Sequence, residues 1–158
     1  MSSQRLAGLV IGFGSICFLV AAFLPISRVY ATNGAEAKLE IINASLSAWR
    51  ISQVLFAAGA VVTAIGFGWL MLMVDAPVAK TYLALPGVLM GLGAVFWSLH
   101  TYLRSVDPEG WASGVLPGWQ FPVFTLLTIA GLGITGLIFQ RTGPTWLGLT
   151  LIIASTIF

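Results

Sequence analysis

Four uncharged apolar runs, Leu6–Ile26, Ile51–Val74, Tyr82–Leu103 and Gln120–Gln140, make up more than half of the chain. Each meets the requirement of about 20 residues for crossing roughly 30 Å of hydrocarbon as a helix. Inside hydrocarbon no water is available to satisfy the backbone, so a run of this kind must close its hydrogen bonds internally and become helical. The composition agrees: 58% of residues are hydrophobic and 8% are charged, against about 25% charged in soluble domains. These runs predict an all-α integral membrane protein, a single membrane domain over residues 1–158 built as a bundle of four transmembrane helices. A fifth apolar run, Trp146–Phe158, has 13 residues and is too short to cross as a straight helix. It reads as a half-inserted or truncated fifth span.

The seven basic residues, Arg5, Arg28, Lys38, Arg50, Lys80, Arg104 and Arg141, fall at or beyond the ends of the runs. That is the placement of anchors at a membrane surface, and it provides no basic patch for nucleic acid. Met1–Arg5 and the run after it are read as a retained first span, because 21 residues exceed the usual signal core of about 7–15. The shortest connections carry Arg5, Lys80 and Arg141, which places the N-terminus inside and the two longer loops, 27–48 and 104–119, outside. The economical chain fits a bacterial cytoplasmic membrane. Cys17 is the single cysteine, so neither a disulfide framework nor a cysteine metal site can form within one chain.

In the first outer loop Asn33 and Glu36 have capping-box spacing, and Leu39, Ile42, Leu46 and Trp49 recur at helical spacing opposite Lys38 and Ser45. This pattern predicts an amphipathic helix on the outer surface. Trp49 and Arg50 then open the second span as an interfacial pair. The Asp75–Lys80 turn is short enough to make spans two and three antiparallel neighbours. The loop 104–119 holds Asp107, Pro108, Gly110, Pro117 and Gly118 between tryptophans, and is expected to lie as a lid over the end of the bundle.

The third span is the most informative stretch. At about 100° per residue, Gly87, Gly91, Ala94 and Ser98 share one line, while Gly93, Phe96, Trp97 and His100 gather on roughly the opposite one. His100 is the only histidine. A neutral imidazole there could ligate the metal of a haem or a chlorin, or hydrogen-bond a quinone, with Gly93, Phe96 and Trp97 lining the ring edge. The competing reading is a histidine near a span end that bonds to headgroups or loop carbonyls, with no cofactor present.

No set of residues resembles a catalytic constellation, and no carboxylate lies within a span. The Gly-Phe-Gly at 12–14 lacks the strand and helix of a nucleotide site. Small residues do recur on every span: Gly8 and Gly12; Gly59, Thr63 and Gly66; Gly87, Gly91 and Ala94; Thr128, Gly131 and Thr135. Such lines let helices approach closely. The first expectation is therefore a non-catalytic accessory or scaffold subunit of a larger membrane complex, with lipid and other transmembrane helices as partners. The alternatives are a binder of a lipophilic cofactor on the His100 face, and a homo-oligomeric channel or carrier for neutral solutes with Thr63, Thr128 and Thr135 along its path.

Overall fold

A computed structural model describes residues 3–74, 80–143 and 145–157. The described chain is helical with no strand among the described residues, and four helices are long and apolar enough to cross a membrane. They are α1 (Ser3–Phe23), α4 (Leu46–Leu72), α5 (Lys80–Val106) and α7 (Gln120–Thr142). Short helices α2 (Ile26–Ala31), α3 (Ala35–Ala44) and α6 (Pro108–Ala112) fill the loops between them, and α8 (Thr145–Ile157) follows the last. The chain is thus an integral membrane protein with an all-α bundle, as the four runs predict. The Asp75–Ala79 part of the short turn lies outside the described residues.

The long helices pack in the order α1, α4, α5, α7, α8, each against its sequence neighbour in the bundle. Every pair is antiparallel, and backbone-level approaches at small residues set the seams. A Cβ on Gly59 would lie 2.8 Å from the Gly14 carbonyl oxygen and 2.9 Å from the Phe18 nitrogen, so α1 and α4 meet main chain to main chain. Gly68 and Gly87 do the same for α4 and α5, where a Cβ on Gly87 would stand 2.8 Å from the Gly68 Cα. On the far side, a Cβ on Gly136 would meet the Gly148 carbonyl at 2.8 Å, which brings α8 along α7 as a short antiparallel partner. A hydrophobic core of Ala21, Ile42, Trp49, Phe56 and Trp97 runs from the middle of the bundle to one end, and Met71, Leu83 and Ile138 form a smaller cluster at the other.

Three local expectations are corrected. The Asn33 capping box does not form: α3 starts after Gly34, whose φ of 87° places it in the left-handed region, and no side chain caps the helix. The surface helix also stops earlier than its periodicity implies. Ser45 leaves helical geometry (φ −143°, ψ 43°), so Leu46 and Trp49 belong to the transmembrane helix α4. Trp49 is therefore fully buried and is not an interfacial anchor. The third correction concerns α5, which continues past Leu103 to Val106 and carries Arg104 inside the helix.

Candidate functional site

The end of the bundle where α1, α4, α5 and the loop helices converge holds the strongest polar anomaly among the described residues. Trp97, His100 and Arg104 follow one another at spacings of three and four along α5, which puts them on one stripe of the helix. That stripe faces inward: Trp97 is 5% exposed, His100 8% and Arg104 only 1%. The sequence places Arg104 among the surface anchors; the fold buries it instead.

Three aromatic rings box the guanidinium. Its central carbon lies 4.6 Å from the Trp111 ring centroid, 5.2 Å from Trp49 and 5.5 Å from Tyr30. Each ring comes from a different segment, α6, α4 and α2. A desolvated cation over an aromatic face gains about 2 kcal/mol, which offsets part of the several kcal/mol that burying an ion costs. The rings cannot accept the in-plane N–H groups of a guanidinium. None of the three guanidinium nitrogens makes a well-formed hydrogen bond among the described residues; the Tyr30 hydroxyl alongside supplies a weaker side-chain interaction, and no described carboxylate pairs with the cation.

The box is held in place by its backbone. The Trp49 indole N–H donates to the Arg104 carbonyl at 3.1 Å, tying the first turns of α4 to the last turn of α5. Asp107 caps α6, its carboxylate accepting from the Gly110 N–H at 2.8 Å, and so fixes where Trp111 stands. Lys38 of α3 also sits over the Trp111 ring, with its Nζ 5.8 Å from the centroid. The segment between α5 and α7 thus packs through α6 against α3 and α5, with Trp111 over Arg104.

Arg104 separates two cavities. The larger, of about 430 Å³, runs along the bundle between α1 and α7, with Phe18, Ala22, Phe56, Trp97 and Phe124 on its walls and Arg104 at its head. Helices α1 and α7 flank it without packing along each other, which leaves a gap between them. Its floor is an aromatic cluster centred on Trp97, which stacks on Phe124 at 4.8 Å and Phe18 at 5.8 Å and meets Phe56 edge-on at 5.6 Å. The smaller cavity, of about 340 Å³, lies under the loop and is lined by His100, Arg104, Trp111, Gly114 and Gly118.

The four residues singled out around the histidine are only partly brought together. Trp97 and His100 are ring neighbours at 5.6 Å, and His100 also faces Phe121 at 6.2 Å. Phe96 turns to Trp119, and Gly93 packs against Phe124, Leu127 and Thr128 of α7. Of the small-residue lines, Gly59, Thr63 and Gly66 face α1, Gly87 faces α4, and Thr128 and Gly131 face α5. Ala94 is buried in the core, and Thr135 is buried with its hydroxyl donating to the Gly131 carbonyl at 2.8 Å. Gly8, Gly12 and Gly91 have open space where a side chain would stand. Thr63 and Thr128 lie in different seams. Sequence reasoning passed over Arg104, Tyr30, Trp49 and Trp111, although the three-and-four spacing from Trp97 through His100 to Arg104 was a usable signal.

Comparison with protein-family models, characterised proteins and solved structures gives no match for this chain.

Proposed function

We propose that the protein is a non-catalytic binder of a membrane lipophile, which enters sideways between α1 and α7 and lies on the Trp97 floor. One observation carries this reading: an apolar groove between α1 and α7 ends at a buried arginine that has aromatic rings and the Tyr30 hydroxyl around it but no carboxylate among the described residues. An apolar cavity of about 430 Å³ with one convergent polar group falls in the size range of small-molecule sites, about 300–1,000 Å³. The geometry favours an elongated amphiphile over a haem or chlorin, because Gly93 and Phe96 lie away from the space beside His100. With the N-terminus inside a bacterial cytoplasmic membrane, the arginine end faces outward. Native mass spectrometry of protein extracted in mild detergent tests the reading: a retained small lipophile is expected, and it should be absent after Ala22→Phe fills the groove. Protein that carries nothing, and takes up nothing from added lipid extract, would refute it.

A second reading, association with other transmembrane helices as an accessory subunit, is favoured by a different face. Gln53 is buried, its Oε1 has no hydrogen-bond partner among the described residues, and it lines a groove of about 390 Å³ with Ser98, Thr101 and Tyr102 between α4 and α5. A donor from a neighbouring helix would satisfy it. Particle sizing with identification of co-purifying chains separates the two readings.

A further inference from the structure

We infer that the groove selects a single-chain lipophilic acid, whose carboxylate pairs with Arg104 while its chain lies along Phe18, Phe56, Trp97 and Phe124. This rests on the lipophile-binding reading and adds the chemical class of the ligand. The first argument is charge. Arg104 is 1% exposed, the rings around it cover its π faces, and its nitrogens make no well-formed hydrogen bond among the described residues; the Tyr30 hydroxyl interacts with it as a single oxygen, and no described carboxylate pairs with it. What the site lacks is an in-plane acceptor carrying negative charge, and a carboxylate meets a guanidinium through two parallel hydrogen bonds in that plane. The nearby acids do not supply it. Asp107 is occupied in capping α6, and Asp107 and Glu109 are exposed.

The second argument is shape. Arg104 sits where the lateral groove and the cavity beneath the loop meet, so an anion on it has apolar space on one side and loop backbone and His100 on the other. That is the outline of one chain with one small head. The grooves on the α4/α5 face do not reach Arg104, so a two-chain lipid would have one tail seated and the other outside.

The test uses the intrinsic tryptophans. The full-length protein in phosphatidylcholine nanodiscs is titrated with dibromostearic acid at mildly alkaline pH, since bromine quenches tryptophans at close range and Trp97, Trp49 and Trp111 surround the site. Saturable quenching by the acid, weak non-saturable quenching by its methyl ester, and a loss of apparent affinity of about tenfold or more in Arg104→Gln are expected. Ala22→Phe leaves Arg104 untouched and is expected to abolish the saturable phase, which keeps the test decisive if Arg104→Gln does not fold. Equal binding of acid and ester would overturn the charge argument and leave a neutral lipophile site. Displacement of the bromo-acid by phosphatidic acid at lower concentration than by stearate would overturn the single-chain assignment. An absence of saturable quenching with every probe, and of any retained lipophile, would remove the lipophile site itself.

Discussion

Helix α1 has two sides that are built on opposite principles. Toward α4 it is sealed: Gly14 and Gly59 bring the backbones so close that a Cβ on Gly59 would stand 2.8 Å from the opposing carbonyl. Toward α7 it leaves a gap of about 430 Å³ with large aromatic rings on the floor and a cation at the end. Lipid tails are as apolar as leucine, so hydrophobicity alone does not choose between these outcomes. Residue size does. Small residues remove the gap on one side, and the rings of Phe18, Phe56, Trp97 and Phe124 hold it open on the other. The contrast separates residues that make the fold from residues that make the site.

The largest effect should come from attacking the seal. Gly59→Leu places a side chain into the α1 backbone, and overpacking a site without room costs on the order of 3 kcal/mol or more. A large drop in thermal midpoint and loss of a monodisperse particle are expected; an unchanged midpoint would mean that the seam is loose. On the gap side, Arg104→Met should act in the opposite sense. Removing a buried cation that no described carboxylate neutralises, while keeping apolar volume, should stabilise the ligand-free protein by roughly 1–3 kcal/mol, measured by denaturant titration in detergent, and should abolish binding of the acid. Destabilisation by a similar amount would instead make the arginine a structural member of its aromatic box.

A smaller effect is expected at the loop. Asp107→Ala removes the cap of α6 and should cost about 1 kcal/mol, seen as faster amide exchange over Pro108–Ala112 with the transmembrane helices unchanged. The smallest is a paired test of two glycines one turn apart. A Cβ on Gly87 would stand 2.8 Å from the Gly68 Cα, whereas a Cβ on Gly91 would meet nothing within 4 Å. Gly91→Ala should therefore stay within about 0.5 kcal/mol of the parent, while Gly87→Ala should be measurably worse. If Gly91→Leu leaves stability intact but reduces the size of the native particle, the accessory-subunit reading gains its first support.

The four spans were legible because each run exceeds the thickness of hydrocarbon and lacks charge, a property of composition that no packing detail can override. The buried arginine was not. Counting basic residues near span ends treats Arg104 as equivalent to Arg50 and Arg141, yet those two are exposed and Arg104 is enclosed. The difference arises outside its own helix: Tyr30 and Trp49, far away in sequence, and Trp111, in the next helix, converge on Arg104 only after α2, α4 and α6 have docked. Periodicity likewise ran Leu39 through Trp49 as one helix, because the pattern of apolar positions continues across Ser45, where the backbone breaks. The lines of small residues were visible as lines, but which neighbour each one faces is a matter of tertiary order.

The sequential packing of α1, α4, α5, α7 and α8 makes the protein a palisade, one helix beside the next, with broad faces turned outward. Only 17% of the most apolar window of α1, and 33% of that of α5, is buried within the chain. Phe13, Ile16, Leu19, Val54 and Leu126 among others remain exposed, so solvent chemistry completes what the chain leaves open. In this architecture the surrounding acyl chains serve as the missing half of the interior. Lateral pressure and bilayer thickness are therefore expected to bear on the spacing of α1 and α7, since no direct packing between these two helices fixes it.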